Sequence, residues 1–79
     1  MNKIFINEKV LKYIEKRNLM KQYEKIEKYL KEWNFRQIDL KLRQPKKDKI
    51  FYFRLNKQFR LFCKISENQI FIFEIDNHQ

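Results

Sequence analysis

The apolar and polar positions along the chain follow two different periods. In the first half, apolar residues recur three or four positions apart, which is typical of helices with one buried face. A short apolar segment at 4–6 precedes them and predicts a strand, and Asn7 after it is suited to cap a helix. Two helices are predicted from the spacing of Val10, Leu11 and Ile14, and then of Leu19, Met20, Tyr23, Ile26, Leu30 and Trp33.

Asparagine is expected at the turns, because the chain contains no glycine. Asparagine is the residue with a side chain that best tolerates left-handed backbone conformations. Asn18 is predicted either to end the first helix or to begin the second. The residues expected at turns on this basis are Asn18, Asn34, Asn56 and Asn68.

The second half alternates with a period of two, which indicates strands with one buried face. Residues 38–42 are a modest strand candidate, and 50–55, 59–65 and 70–75 are strong ones, rich in aromatic and β-branched residues. Turns are expected at 56–58 and 67–68. The predicted fold is therefore α+β in a single domain, 1–79. An N-terminal strand and a two-helix hairpin precede an antiparallel sheet of three or four strands, with the helices on one face.

The first predicted hairpin separates apolar from cationic side chains. A three-residue turn pairs Leu55 with Phe59, and places Arg54 directly opposite Arg60. Two like charges in that position destabilise a sheet, and a counter-anion would relieve the repulsion. The predicted core face carries Phe51, Phe53, Leu55, Phe59, Leu61 and Cys63, and the opposite face carries Tyr52, Arg54, Arg60, Phe62 and Lys64.

The second hairpin has two possible registers. A regular two-residue turn at 67–68 would place Glu74 and Asp76 on the core face, at a high desolvation cost. An odd loop, or a bulge near the turn, is therefore predicted. This register places Phe71, Phe73 and Ile75 in the core. It also brings Glu74, Asp76 and His78 onto the face of Arg54, Arg60 and Lys64.

The positive charge is concentrated in one part of the chain. The 79 residues include 19 Lys+Arg and 10 Asp+Glu, for a net charge of +9. A/T-rich codon usage alone could raise the lysine content, but it does not explain the distribution. Segment 41–64 holds nine bases and only one acid, for a net charge of +8, whereas 65–79 has a net charge of −3. A focused cationic region of this kind is typical of contact with a polyanion.

Composition also excludes several classes of protein. The longest apolar runs have four residues, far fewer than the roughly 20 needed to span a bilayer. The first ten residues lack the features of a secretory signal, so we expect a cytoplasmic protein without membrane contact. The single cysteine, Cys63, excludes an internal disulfide, and the lack of glycine excludes a phosphate-binding glycine loop. No metal and no cofactor are expected.

The residues of the cationic face suit metal-independent cleavage of RNA. Arginine side chains bind phosphate in a bidentate manner, and His78 could transfer a proton near neutral pH. Aromatic rings on the same face, Tyr52 and Phe62, could stack on unpaired bases. Two alternatives remain open at this point. The arginines could pair with Glu74 and Asp76 as a solvated charged face, and His78 could be an ordinary surface group.

The hairpin FYFRLNKQFRLFCKISENQIFIFEIDNHQ resembles the RelE/ParE superfamily of bacterial and archaeal toxins. The order of predicted elements over nearly the whole chain is similar to that of the family. Arg54 matches the basic residue of the first hairpin strand, and Phe59-Arg60-Leu61 matches an aromatic-Arg-aliphatic element. His78 lies where YoeB-like members carry a terminal histidine.

This resemblance implies a RelE-like fold and an mRNA interferase, a metal-independent endoribonuclease that cuts mRNA on the ribosome and inhibits translation. Arg54 and Arg60 would then stabilise the phosphate in the transition state, and His78 would be the general acid or base. The implied partners are the ribosome, mRNA and a cognate acidic antitoxin. The implied RNA-binding residues are Lys41, Arg43, Lys46, Lys47, Tyr52, Phe62 and Lys64.

Two further functions fit the same sequence. The first is a ParE-like toxin, which inhibits DNA gyrase by binding and cleaves nothing itself. The second is a degenerate toxin fold that only binds RNA, for which the +8 segment would be sufficient. The positions of mRNA 5′ ends after induced expression would distinguish cleavage from these alternatives.

Overall fold

A computed structural model describes residues 2–77, and His78 lies outside the described residues. Two helices and five strands form an α+β fold, as predicted. The elements in chain order are β1 Lys3–Ile6, α1 Glu8–Lys16, α2 Met20–Lys31, β2 Lys41–Leu42, β3 Phe51–Arg54, β4 Phe59–Ser66 and β5 Gln69–Asn77, with a 3-10 turn at Lys46–Asp48.

The sheet differs from the predicted antiparallel sheet of three or four strands. Its five strands have the order β1-β5-β4-β3-β2, and β1 pairs with β5 in parallel while the other pairs are antiparallel. The two helices lie between β1 and the remaining strands along the chain, which gives the long crossover that a parallel pair needs. The predicted strand at 38–42 is reduced to two residues, because a turn with a φ of 53° at Asp39 occupies its first part.

The helices begin and end close to the predicted positions. The Asn7 side chain accepts a hydrogen bond from the Lys9 amide at 2.8 Å, which caps the start of α1. Asn18 adopts a φ of 56° between the two helices, as expected of a residue at a left-handed turn. The other left-handed positions differ from prediction, because Trp33 and Glu67 adopt positive φ in place of the neighbouring Asn34 and Asn68.

The core lies between the two helices and one face of the sheet, and a single apolar cluster fills it. The predicted core face of the first hairpin is confirmed, with Phe51 only partly buried at its edge. Cys63 is fully buried there, and its burial raises the pKa of the thiol from 9.0 to about 12. The buried members of the cluster are Val10, Ile14, Leu19, Tyr23, Ile26, Leu30, Ile38, Phe53, Leu55, Phe59, Leu61, Cys63, Ile70 and Ile72.

Trp33 was predicted to pack in the core, and this prediction is wrong. Helix α2 ends at Lys31, and the chain turns at Trp33 with a φ of 56°. The indole is 40% exposed and packs edge-on against Phe35, with 5.0 Å between ring centroids. The helical stripe therefore stops at Leu30, because the backbone no longer follows the helical period.

A bulge in β5 gives the second hairpin its register, but it lies in the middle of the strand and not near the turn. From the two-residue turn, Ile70 and Ile72 pair with Ile65 and Cys63 and are buried. Phe73 is then an extra residue between Ile72 and Glu74, and it reverses the alternation. The prediction that Phe71 and Phe73 are in the core is wrong, since they are 39% and 36% exposed.

Beyond the bulge, the predicted faces are correct. Ile75 pairs with Leu61 and packs against the core, while Glu74 pairs with Phe62 and Asp76 with Arg60. A mid-strand bulge thus turns Ile70, Ile72 and Ile75 towards the core and still keeps both acids away from it. The predicted placement of Glu74 and Asp76 on the same face as Arg60 depends on the single bulge residue, Phe73.

Candidate nucleic-acid interface

The side of the sheet opposite the helices carries most of the predicted site residues. Strand register places Lys41 beside Tyr52, Tyr52 beside Phe62, and Phe62 beside Glu74. The Arg43 amide donates to the Ile50 carbonyl at 2.7 Å, which extends the β2 pairing by one residue. Because side chains alternate along a strand, these residues share one side, the helix-free face, with Arg60, Lys64 and Asp76.

Arg60 makes an ion pair at the centre of the helix-free face. Its Nη2 donates to Oδ2 of Asp76 at 2.7 Å, a charge-assisted hydrogen bond across the paired strands. The Arg60 side chain is only 25% exposed, and its buried Nε has no hydrogen-bond partner within residues 2–77. Asp76 thus supplies the counter-anion that the opposed arginines required. The alternative in which the arginines pair with acids of the second hairpin is therefore confirmed for Arg60, which pairs with Asp76.

Phe62 was predicted to stack on RNA bases, and its burial makes this prediction wrong. The ring is 5% exposed, although it lies on the helix-free face and outside the main core. The guanidinium carbons of Arg43 and Arg60 lie 5.2 and 5.5 Å from its centroid, within cation–π range. These side chains cover the ring, so a base cannot reach its face.

Tyr52 completes this group of side chains. Its ring centroid lies 5.9 Å from that of Phe62 at an interplanar angle of 42°, and the Arg60 guanidinium carbon lies 5.5 Å from the Tyr52 centroid. Tyr52 is half-buried. We refer to Arg43, Tyr52, Arg60 and Phe62 as the arginine–aromatic cluster. Two cations held on a fixed aromatic platform are suited to bind an anion.

Arg54 stands opposite Arg60 in the sheet, as predicted, but it makes different contacts. It is exposed, and no carboxylate within residues 2–77 pairs with it. Together with α2 and the segment that contains Asp39, Arg54 borders an open cavity of about 370 Å³. The Arg54 backbone therefore lies beside that of Arg60, but Arg54 is not a member of the arginine–aromatic cluster.

The remaining predicted RNA-binding bases are exposed. Lys46 and Lys47 lie on the 3-10 turn that follows Pro45, and Lys64 lies on β4. Lys41 is exposed on β2 and pairs with Asp39 at 3.5 Å. Within the described residues, Lys41 and Arg60 are the two bases of segment 41–64 with a carboxylate partner. Most of the +8 charge thus remains available to a polyanion.

Sequence reasoning missed the central position of Arg43. It gave Arg43 as one of the RNA-binding residues that the resemblance implies, without predicting that Arg43 packs on the same ring as Arg60. The available signal was its spacing of two residues from Lys41, which places both side chains on one side of a strand. That signal was weak because β2 has only two residues and the apolar pattern around it is short.

The described part of the chain contains neither a candidate metal site nor a helix that could span a membrane. No group of three or more His, Cys, Asp or Glu side chains within residues 2–77 is placed to hold a metal ion. No helix in the same range is both long and apolar enough to span a membrane. His78, the predicted general acid or base, lies outside the described residues.

No protein-family model matches the sequence, and no curated protein matches it significantly.

Proposed function

We propose that this chain is a RelE/ParE-like toxin of a type II toxin–antitoxin system, with the activity of a metal-independent, ribosome-dependent endoribonuclease that inhibits translation. The observation that carries the proposal is the concentration of bases on the helix-free face around Arg60. The helices cover the other face, so the cationic surface is open to a large partner such as the ribosome with its mRNA. The resemblance of the hairpin to the superfamily supports the same assignment.

Cleavage of RNA at neutral pH needs three contributions from the protein. A base activates the 2′-hydroxyl, a cation stabilises the pentavalent phosphate, and an acid protonates the leaving oxygen. Arg60 is proposed to stabilise the phosphate, with Arg54 contributing from the adjacent strand. His78 is proposed to transfer the proton, and a proton transfer of this kind accelerates a reaction by about 10² to 10⁴.

The exposed lysines are proposed to position the RNA rather than to take part in the reaction. Lys41, Lys46, Lys47 and Lys64 add solvated positive charge to the segment that contains the arginine–aromatic cluster. Phosphate contacts of this kind provide affinity and orientation without reading sequence. Tyr52 is half-buried and is proposed to stack on one unpaired base.

A cognate acidic antitoxin is proposed as the inhibitor. Aspartate and glutamate side chains on a partner segment would complement the cationic face and block access of RNA to it. A small acidic reading frame next to the gene would support this partner.

The proposed activity is tested by inducing expression and mapping the 5′ ends of cellular mRNA. The wild type is expected to arrest growth and to produce new 5′ ends at positions set by the reading frame. The variants Arg60→Ala and His78→Ala should lose these ends, since removal of one transition-state donor costs about 10²- to 10³-fold in rate. Arg36→Ala removes an exposed arginine outside the proposed site and serves as the matched control.

Two outcomes would replace this proposal with an alternative. Growth arrest with intact mRNA and damaged DNA would favour the ParE-like inhibitor of gyrase. RNA binding without growth arrest or new 5′ ends would favour the degenerate, non-catalytic fold.

A further inference from the structure

Two arginines from different strands share one aromatic ring on the helix-free face. Arg43 follows β2 and Arg60 belongs to β4, and both guanidinium carbons lie within 5.5 Å of the Phe62 centroid. Phe62 is buried, so it holds both cations in place at little further entropic cost. Because β3 separates β2 from β4 in the sheet, only the folded protein brings these two charges together.

Asp76 already pairs with one of these two charges, Arg60. Its Oδ2 accepts from Nη2 of Arg60 at 2.7 Å, and both side chains remain partly exposed. A carboxylate and a phosphate present similar oxygen atoms to a guanidinium group, and both bind it through parallel N–H donors. Because the pair is only partly covered, an incoming anion can reach Arg60 and compete with the carboxylate for its N–H donors.

We propose that Arg43 and Arg60 together form a binding site for one phosphodiester of single-stranded RNA, and that Asp76 occupies this site until the RNA displaces it. The inference deepens the proposed function, since it names the residues that bind the phosphate and an internal competitor for them. Asp76 is a positioning residue: it orients Arg60 over the ring in the free protein and releases it to the substrate. Arg43 becomes the partner of Arg60 at this phosphate.

The alternative pair for a phosphate is Arg54 with Arg60, which the sequence suggested. Arg54 is opposite Arg60 in register but makes no cation–π contact within residues 2–77, and it borders the cavity next to α2. Arg43 packs on the same ring as Arg60, which fixes the direction of its guanidinium group. The contacts therefore favour Arg43 as the second ligand of the phosphate.

The test measures binding of a fluorescent 2′-O-methyl RNA oligonucleotide by anisotropy, at low salt and without ribosomes. This RNA cannot be cleaved, so the result is independent of whether the protein is a nuclease. Arg43→Ala and Arg60→Ala should each weaken binding by about tenfold, as expected for loss of one charge-assisted contact. Their combined effect should be smaller than the product of the two, because both arginines bind one phosphate. Arg36→Ala should bind like the wild type.

A charge-matched pair of variants tests the role of Asp76. Asp76→Asn should tighten RNA binding by about threefold, because no carboxylate then competes with the RNA phosphate for Arg60. Asp48→Asn removes the same charge from the exposed basic turn and should give a clearly smaller gain. In the Arg60→Ala background, the gain from Asp76→Asn should disappear. Circular dichroism of each variant confirms that the fold is retained.

Three results would overturn the proposal. The first is a gain from Asp76→Asn that equals the gain from Asp48→Asn, and the second is a gain that persists without Arg60. The third is an Arg43→Ala variant that binds as tightly as Arg36→Ala. If the binding results hold but no mRNA is cut in cells, the phosphate site stands and the proposed nuclease activity fails.

Discussion

Within residues 2–77, five residues with side chains adopt positive φ, since the chain has no glycine to place at these turns. Such a conformation costs roughly 1–2 kcal/mol for a residue with a Cβ atom. The sequence predicted asparagine at these positions, and this holds for Asn18. At the turn of the second hairpin, Glu67 has a φ of 53°, whereas Asn68 after it does not have positive φ. Local sequence could not decide which of two adjacent turn residues takes the strained conformation.

The exposed Glu67 therefore offers a simple way to stabilise the protein. Glu67→Gly should raise the free energy of unfolding by about 1 kcal/mol, because glycine adopts positive φ without a steric penalty. Asn68→Gly is the matched control and should lower the free energy of unfolding by about 0.5–1 kcal/mol. Chemical denaturation followed by circular dichroism measures both. Equal effects of the two substitutions would contradict the assigned backbone geometry.

Cys63 should be unreactive in the folded protein. Burial raises the pKa of its thiol to about 12, so hardly any thiolate forms near pH 8.5. Iodoacetamide should label the native protein far more slowly than the denatured protein, as followed by mass spectrometry. The same shift means that the neutral thiol favours the folded state below about pH 9, and that this contribution is lost as the pH rises towards 12. Equal labelling rates for the native and denatured protein would contradict the buried position of Cys63.

At the scale of single residues, the sequence predicted correctly which side chains are buried only where the backbone is regular. The predicted core of β3 and β4 is correct because alternation continues through Phe53, Leu61 and Cys63. The prediction for Trp33 was wrong because the helix ends at Lys31, two residues before it, and the burial of Phe62 was missed for a different reason. Two arginine side chains on the same face of the sheet cover the Phe62 ring, and the alternation of apolar and polar residues along a strand does not predict such contacts.

At the scale of elements, the bulge in β5 decides which residues face the core. Two apolar segments of opposite alternation lie in one strand, and the extra residue Phe73 joins them. The sequence predicted that some irregularity was needed, because Glu74 and Asp76 could not be buried. It could not locate the irregularity, since a bulge near the turn and one in mid-strand both keep these acids away from the core. Burial of Ile70 and Ile72 against the helices selects the second.

Two deletions in β5 test this account of the register. Deletion of Phe73 removes the extra residue, so Glu74 stays opposite Phe62 and Ile75 stays opposite Leu61. This variant should unfold cooperatively, with a denaturation midpoint close to that of the wild type. Deletion of Ile75 instead brings Asp76 opposite the fully buried Leu61, and burial of an unpaired carboxylate should prevent stable folding. The reverse order of stability would contradict the observed bulge.

At the scale of the whole molecule, the sequence predicted the fold class and the helix layer but not the strand order. Patterns of hydrophobicity identify elements and their buried faces, and these are local properties. The parallel pairing of β1 with β5 joins the two ends of the chain, for which the pattern contains no signal. The concentration of charge, in contrast, was visible in the sequence, and the sheet places much of it around the arginine–aromatic cluster.

The charge distribution makes a quantitative prediction for RNA binding. Affinity for a single-stranded oligonucleotide should fall with salt, with a slope of about −0.7 per phosphate contact in a log–log plot. The double variant Lys46→Ala, Lys47→Ala should reduce the magnitude of this slope by about 1.4 if both lysines contact phosphate. A double variant at Lys21 and Lys28, two exposed lysines on α2, removes the same charge away from the site and should leave the slope unchanged. Equal changes in slope would show that only net charge matters.

The most direct measurement of the proposed function uses purified ribosomes that carry a defined mRNA. The purified protein is added, and primer extension locates any new 5′ ends. We predict cuts within the ribosome-bound codon for the wild type and for Arg36→Ala, in the presence of a metal chelator at a concentration that leaves ribosomes intact. Arg60→Ala should cut about 10²- to 10³-fold more slowly. Intact mRNA with the wild-type protein, or equal cleavage by Arg60→Ala, would contradict the account.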